Sequence, residues 1–132
     1  MNYRFISLAC LIFLLPCGCG KNDGPKLSGV SGTILFDGKP LSNAAVMFQP
    51  EFGRPAFATT DDQGHYTLKY SDGSQGAATG KNTVSIRTEI EGEQGHPHIQ
   101  KELLPNRYHD RTTLSADVID GPNTIDFELT SK

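Results

Sequence analysis

A chain of 132 residues suffices for one domain of about 100 residues and is too short for two. Its 12 basic and 15 acidic side chains give a net charge of −3, with no basic patch or stripe. That excludes the electrostatic footprint of a nucleic-acid-binding protein.

The first element is a segment with one basic residue, Arg4, followed by an apolar run from Phe5 to Leu15 and then Pro16-Cys17-Gly18-Cys19-Gly20. A transmembrane helix needs about 20 apolar residues, and this run is roughly half that. A basic start, a short apolar region and small residues before a cut describe a signal peptide over residues 1–18. The cysteine at the cut resembles the lipobox of bacterial lipoproteins, whose thiol is acylated and becomes the new N-terminus. Cys10 lies inside the apolar run, and Cys17 follows Pro16, which suits a signal peptidase poorly. Cys19 follows Gly18, the small residue such a cut requires, and is the expected lipidation site. A secreted protein without lipid is the alternative. Stable anchoring takes more than one acyl chain, and the diacylglyceryl group and amide-linked chain that the resemblance implies meet that condition. Gly20 in place of Asp implies, by the sorting rule of that family, a lipid anchor in the outer membrane.

Cleavage before Cys19 removes Arg4 and two of the three cysteines, leaving a net charge of −4. Without a thiol besides the acylated one, the mature chain is expected to hold no disulfide, Cys-ligated zinc or cysteine nucleophile.

Residues 19–28 read as a lipid-anchored tether, polar and rich in Gly and Pro. Nine residues of coil beyond the cysteine reach about 17 Å, so the domain is expected close to the membrane. From Gly29 onward the apolar pattern has period two. Val30, Gly32, Ile34 and Phe36 alternate with Ser31, Thr33 and Leu35; Val46 and Phe48 flank Met47; Tyr66, Leu68 and Tyr70 follow; then Val84 and Ile86; then Ile125, Phe127 and Leu129. Successive strand side chains point to opposite faces, so each run buries one face. Asp37-Gly38, Asp61-Asp62-Gln63-Gly64 and Gly121-Pro122-Asn123 punctuate the runs as turns. With no helical stripe of ten residues, this pattern argues an all-β sandwich over residues 29–132.

Residues 89–111 break the pattern. The stretch from Glu89 to His98 is too polar for a core strand, while Ile99, Leu103 and Leu104 can form one short apolar turn. Loops longer than about 12–15 residues are usually functional or disordered, and both readings stand for this one.

Four segments in order resemble carboxypeptidase regulatory-like domains. They are Val30–Leu41 with Ala45–Phe48, Thr60–Leu68 with its Asp-x-x-Gly-x-Tyr element, Gly76–Val84, and Leu104–Tyr108 with Thr112–Leu114. The resemblance covers roughly residues 29 to 130. It implies a transthyretin-like sandwich of seven to eight strands with Greek-key character, in a group of mostly non-catalytic modules. A related pilin-type class forms Lys–Asn isopeptide bonds from a first-strand lysine, and Val30–Phe36 contains no lysine.

The candidates for chemistry each have a plainer explanation. His96 and His98 sit at i and i+2 and can face one ion with His109 or Glu102. The ordering entropy of a flexible polar loop opposes that site. Asp61 and Asp62 lack the donor number and spacing of a calcium loop and suit a turn. No Gly-x-Ser-x-Gly elbow is present. No metal, cofactor or enzymatic activity is expected. Among aromatic residues, alternation puts Phe57 and Tyr66 in the core. Phe52 and Tyr108, beside Arg54 and Arg107, are the surface candidates for ligand binding, although a structural role is the favoured reading for them. The sequence thus predicts a lipid-anchored, non-enzymatic module for binding or structural roles in the cell envelope, with an envelope protein or glycan as partner. The alternative is a carbohydrate-binding module using residues 52–54 and 89–111.

Overall fold

The computed structural model describes residues 24–90 and 100–132. Cys19 and the His96-Pro97-His98 run lie outside the described residues. The described chain holds twelve short strands, one 3-10 turn and no α-helix.

Strand β1 (Leu27–Ser28) precedes β2 (Val30–Phe36), β3 (Lys39–Pro40), β4 (Ala45–Pro50) and β5 (Ala56–Thr59). Next come β6 (His65–Thr67), β7 (Lys69–Tyr70), β8 (Ala77–Ala78) and β9 (Gly80–Arg87). The 3-10 turn Asn106–Tyr108 leads to β10 (Ser115–Val118), β11 (Asn123–Thr124) and β12 (Phe127–Leu129). One antiparallel sheet has the order β10-β9-β4-β5-β7. A second centres on β2, with β11 and β12 parallel to it on one side and β3 and β6 antiparallel on the other, and β1 and β8 form a separate two-stranded antiparallel ladder.

This is an all-β sandwich, as the alternation predicts. The inner faces meet through Ile34, Tyr66, Phe127 and Leu129 of one sheet and Val46, Phe48, Val84 and Ile86 of the other, all buried. Phe48 lies 6.4 Å from Tyr66 and 6.2 Å edge-on from Phe127 between ring centroids, distances typical of favourable aromatic pairs. The expected Tyr66–Tyr70 strand serves both sheets. Its first half pairs with β2, the buried Leu68 donates its N–H to the Val30 carbonyl, and its second half pairs with β5. Such strands form the corners of sandwiches.

Two expectations about boundaries change. The tether ends earlier than Ser28, because Leu27 and Ser28 pair with Ala78 and Ala77 and the Lys26 carbonyl accepts the Thr79 N–H at 2.9 Å. Leu27 packs against the core, which is why a segment that reads as polar linker becomes strand. The stretch after Gln100 is also not a loose loop. Ile90 and Gln100 exchange backbone hydrogen bonds, and Gln100 Nε2 donates to the Thr88 carbonyl at 2.6 Å. The described residues on either side of 91–99 are therefore held together, and the polar side chains of Gln100 and Glu102 bond to their own chain.

Candidate functional site

Strands β4 and β9 run antiparallel, pairing Ala45 with Arg87 at one end and Pro50 with Asn82 at the other. This register divides the surface into a proximal end, where the chain enters at Pro25, and a distal end beside the 3-10 turn.

At the proximal end Phe52 is 86% exposed. It lines an open cleft of about 320 Å³ with Pro25, Lys26, Pro50, Gly80 and Lys81. Arg54 follows, its backbone N–H donated to the Tyr70 hydroxyl at 3.0 Å. Lys26 pairs with Asp120 at 2.7 Å, which brings the turn after β10 to the same end.

Arg107 and Tyr108 lie at the distal end. Arg107 donates to the Thr130 carbonyl at 2.6 Å and the Lys132 carbonyl at 2.9 Å, and its guanidinium sits 4.8 Å above the Tyr108 ring centroid. Tyr108 is buried rather than on the surface, because its ring closes the core while its hydroxyl accepts the Thr130 N–H at 3.0 Å. The four candidate ligand residues therefore do not share one face. Phe52 lies by the Gly80 end of β9 and the 3-10 turn toward its Arg87 end, and the strand between spans about 23 Å at 3.3 Å per residue.

Glu102 and His109, considered as metal ligands, are occupied by their own chain. Glu102 accepts N–H groups of Thr88, Leu104 and Glu89 and the Thr88 hydroxyl, at 2.9 to 3.3 Å. Partial burial opposes its charge, but these hydrogen bonds outweigh burial and hold its pKa below the ordinary value. His109 Nε2 contacts the Leu104 carbonyl at 3.1 Å. Asp61 shapes its turn by accepting the N–H groups of Gln63 and His65, both at 2.9 Å. Among the described residues no cluster of three His, Cys, Asp or Glu side chains is placed to hold a metal.

The outer face of the β4–β5–β9 sheet carries a feature that alternation in the sequence does not reveal. Phe57 is 49% exposed, not in the core. Ala56 pairs with the buried Phe48, so the next pair, Phe57 and Met47, faces outward. With Ala45, Thr59, Ser85 and Arg87 they line an open groove of about 550 Å³. Alternation alone does not choose which parity of Ala56–Thr59 is buried; the register against β4 does.

No family model matches the sequence, and no curated protein matches it. Among solved structures the chain is similar to a 9R-lipoxygenase from Cyanothece PCC8801, at 16% identity and a TM-score of 0.44. That similarity covers 79% of this chain and 16% of the lipoxygenase, so the chain spans a small part of that protein's length.

Proposed function

We propose that the protein is a lipoprotein, anchored through Cys19 in the outer membrane, that displays one sandwich as a non-enzymatic binding or structural module of the bacterial envelope. The transthyretin-like, Greek-key character implied by the resemblance to carboxypeptidase regulatory-like domains is part of this reading. The observation that carries it is how the candidate polar side chains are used. Asp61, Glu102, Arg107 and Tyr108 each hold a neighbouring segment of backbone, the use expected of a module whose task is to hold its shape. The folded strands also begin at Leu27, eight residues beyond Cys19, as suits a module carried close to its anchor. Growth with labelled palmitate tests the reading: the wild type takes up label and Cys19→Ala does not. Label persisting in Cys19→Ala moves the anchor to Cys17, and an unlabelled wild type removes the lipoprotein reading.

The outward Phe57 favours one second reading, a carbohydrate-binding module. A half-exposed ring over an open groove, with Arg87 at its rim, offers an apolar platform and a donor to a sugar. Glycan binding that is lost in Phe57→Ala supports this reading, and an array without signal removes it.

A further inference from the structure

Building on the lipid-anchor reading, we propose that the proximal end of the sandwich rests on the bilayer, with Phe52 and Ile119 inserted at the headgroup level. Four large apolar side chains are exposed among the described residues, and two of them, Phe52 at 86% and Ile119 at 65%, belong to this end. Phe52 shares its cleft with Pro25 and Lys26. Ile119 directly follows Val118, which pairs with Gly80 of the same cleft, and precedes Asp120, the ion-pair partner of Lys26.

The presentation of Ile119 is built. Asn123 is buried and holds the Ile119 backbone from both sides, accepting its N–H at 3.0 Å and donating to its carbonyl at 2.9 Å. The side chain is thus held outward by a fixed turn.

The length of chain between the lipid and the fold selects the occupant. Cys19 and Pro25 are six Cα steps apart, at most about 20 Å when fully extended and about 13 Å as flexible coil. The distal end lies farther by the length of β9. A second protein approaching Phe52 must enter this narrow gap, whereas the bilayer is already there. Apolar side chains at such a surface sit at the boundary between headgroups and acyl chains.

The charges at this end are mixed. Lys26 pairs with Asp120, Lys81 lies opposite Asp117 across the β9–β10 ladder, and the Phe52 loop carries both Glu51 and Arg54. The contact is therefore apolar in origin and persists in salt, unlike one made by a basic patch.

The test uses the full-length lipidated protein in vesicles of phosphatidylethanolamine and phosphatidylglycerol. Phe52→Cys, Ile119→Cys and, at the distal end, Leu103→Cys each carry one environment-sensitive fluorophore on an exposed position. Probes at 52 and 119 are expected to shift to the blue and to lose most of their emission to nitroxide-labelled lipid, in low and high salt alike, with the probe at 103 unchanged. If the protein floats with the vesicles but 52 and 119 behave like 103, the inference falls and the anchor stands. A blue shift at 52 without quenching by the lipid places protein there and also overturns it. Failure to float removes the anchor and the inference with it.

Discussion

The Tyr108 hydroxyl accepts the Thr130 backbone N–H at 3.0 Å and so ties the segment after β12 to the 3-10 turn. Arg107, stacked on the same ring, donates to the Thr130 and Lys132 carbonyls. A tyrosine beside an arginine reads in sequence as a ligand-binding pair; in the fold it is a clamp on the segment that follows the last strand. Tyr108→Phe removes the hydrogen bond from the Thr130 N–H and the longer one at 3.5 Å to Thr130 Oγ1 and is expected to cost about 1 kcal/mol. Tyr108→Ala also vacates the core position and is expected to cost about 3 kcal/mol or more. Urea midpoints measure both. Equal stability of wild type and Tyr108→Ala contradicts the clamp.

Gly32 in the middle of β2 permits the closest packing in the second sheet. A Cβ there would collide with the Ile125 carbonyl oxygen and stand 3.0 Å from the Tyr66 ring. That carbonyl accepts the Tyr66 hydroxyl, and the Ile125 N–H is bonded to Ser31, so the backbone has little freedom to retreat. Overpacking usually costs about 1–3 kcal/mol, and displaced backbone places Gly32→Ala at about 3 kcal/mol or above. A thermal melt within experimental error of wild type shows the close approach to be wrong.

Much of the architecture is legible in the sequence, because period two with Gly-rich turns leaves few alternatives to a sandwich. Ile34, Val46, Phe48, Val84 and Ile86 are buried as their alternation requires. What is not legible depends on pairing between distant segments. The burial parity of Ala56–Thr59 needs its register against β4, and the strand role of Leu27 needs the Ala77–Ala78 ladder. The separation of Phe52 from Tyr108 is likewise a consequence of topology, since the two are brought to opposite ends by the direction of β4 and β9.

Phe48 and Phe57 occupy the same pairing region of β4 and β5 but opposite faces of the sheet. Phe48→Ala is expected to cost about 3–5 kcal/mol, as for a buried aromatic. Phe57→Ala, from a half-exposed position, is expected to cost about 1 kcal/mol or less, consistent with scaling by buried apolar area. Denaturant midpoints of the two variants in parallel check the facing directly. A Phe57→Ala loss as large as that of Phe48→Ala returns Phe57 to the core.

Glu102 links the pH dependence of stability to the joining of the described residues on either side of 91–99. Its folded pKa is lowered because the hydrogen bonds from Thr88, Leu104 and Glu89 overcome the opposing effect of burial. A depressed carboxylate contributes stability above its unfolded pKa of about 4.3 and loses that contribution as pH falls through its folded value. The side chain is partly exposed, so solvent screening limits the effect to about 1 kcal/mol or less. Glu102→Gln is therefore expected to be less stable than wild type at neutral pH, with the gap narrowing toward about pH 3. Asp37, Asp72, Asp110 and Asp120 also have lowered pKa values, but they titrate in both proteins and largely cancel in the difference. Paired urea melts at the two pH values read that difference. A gap that stays constant with pH assigns the loss to packing at position 102 and leaves the carboxylate charge without a part in it.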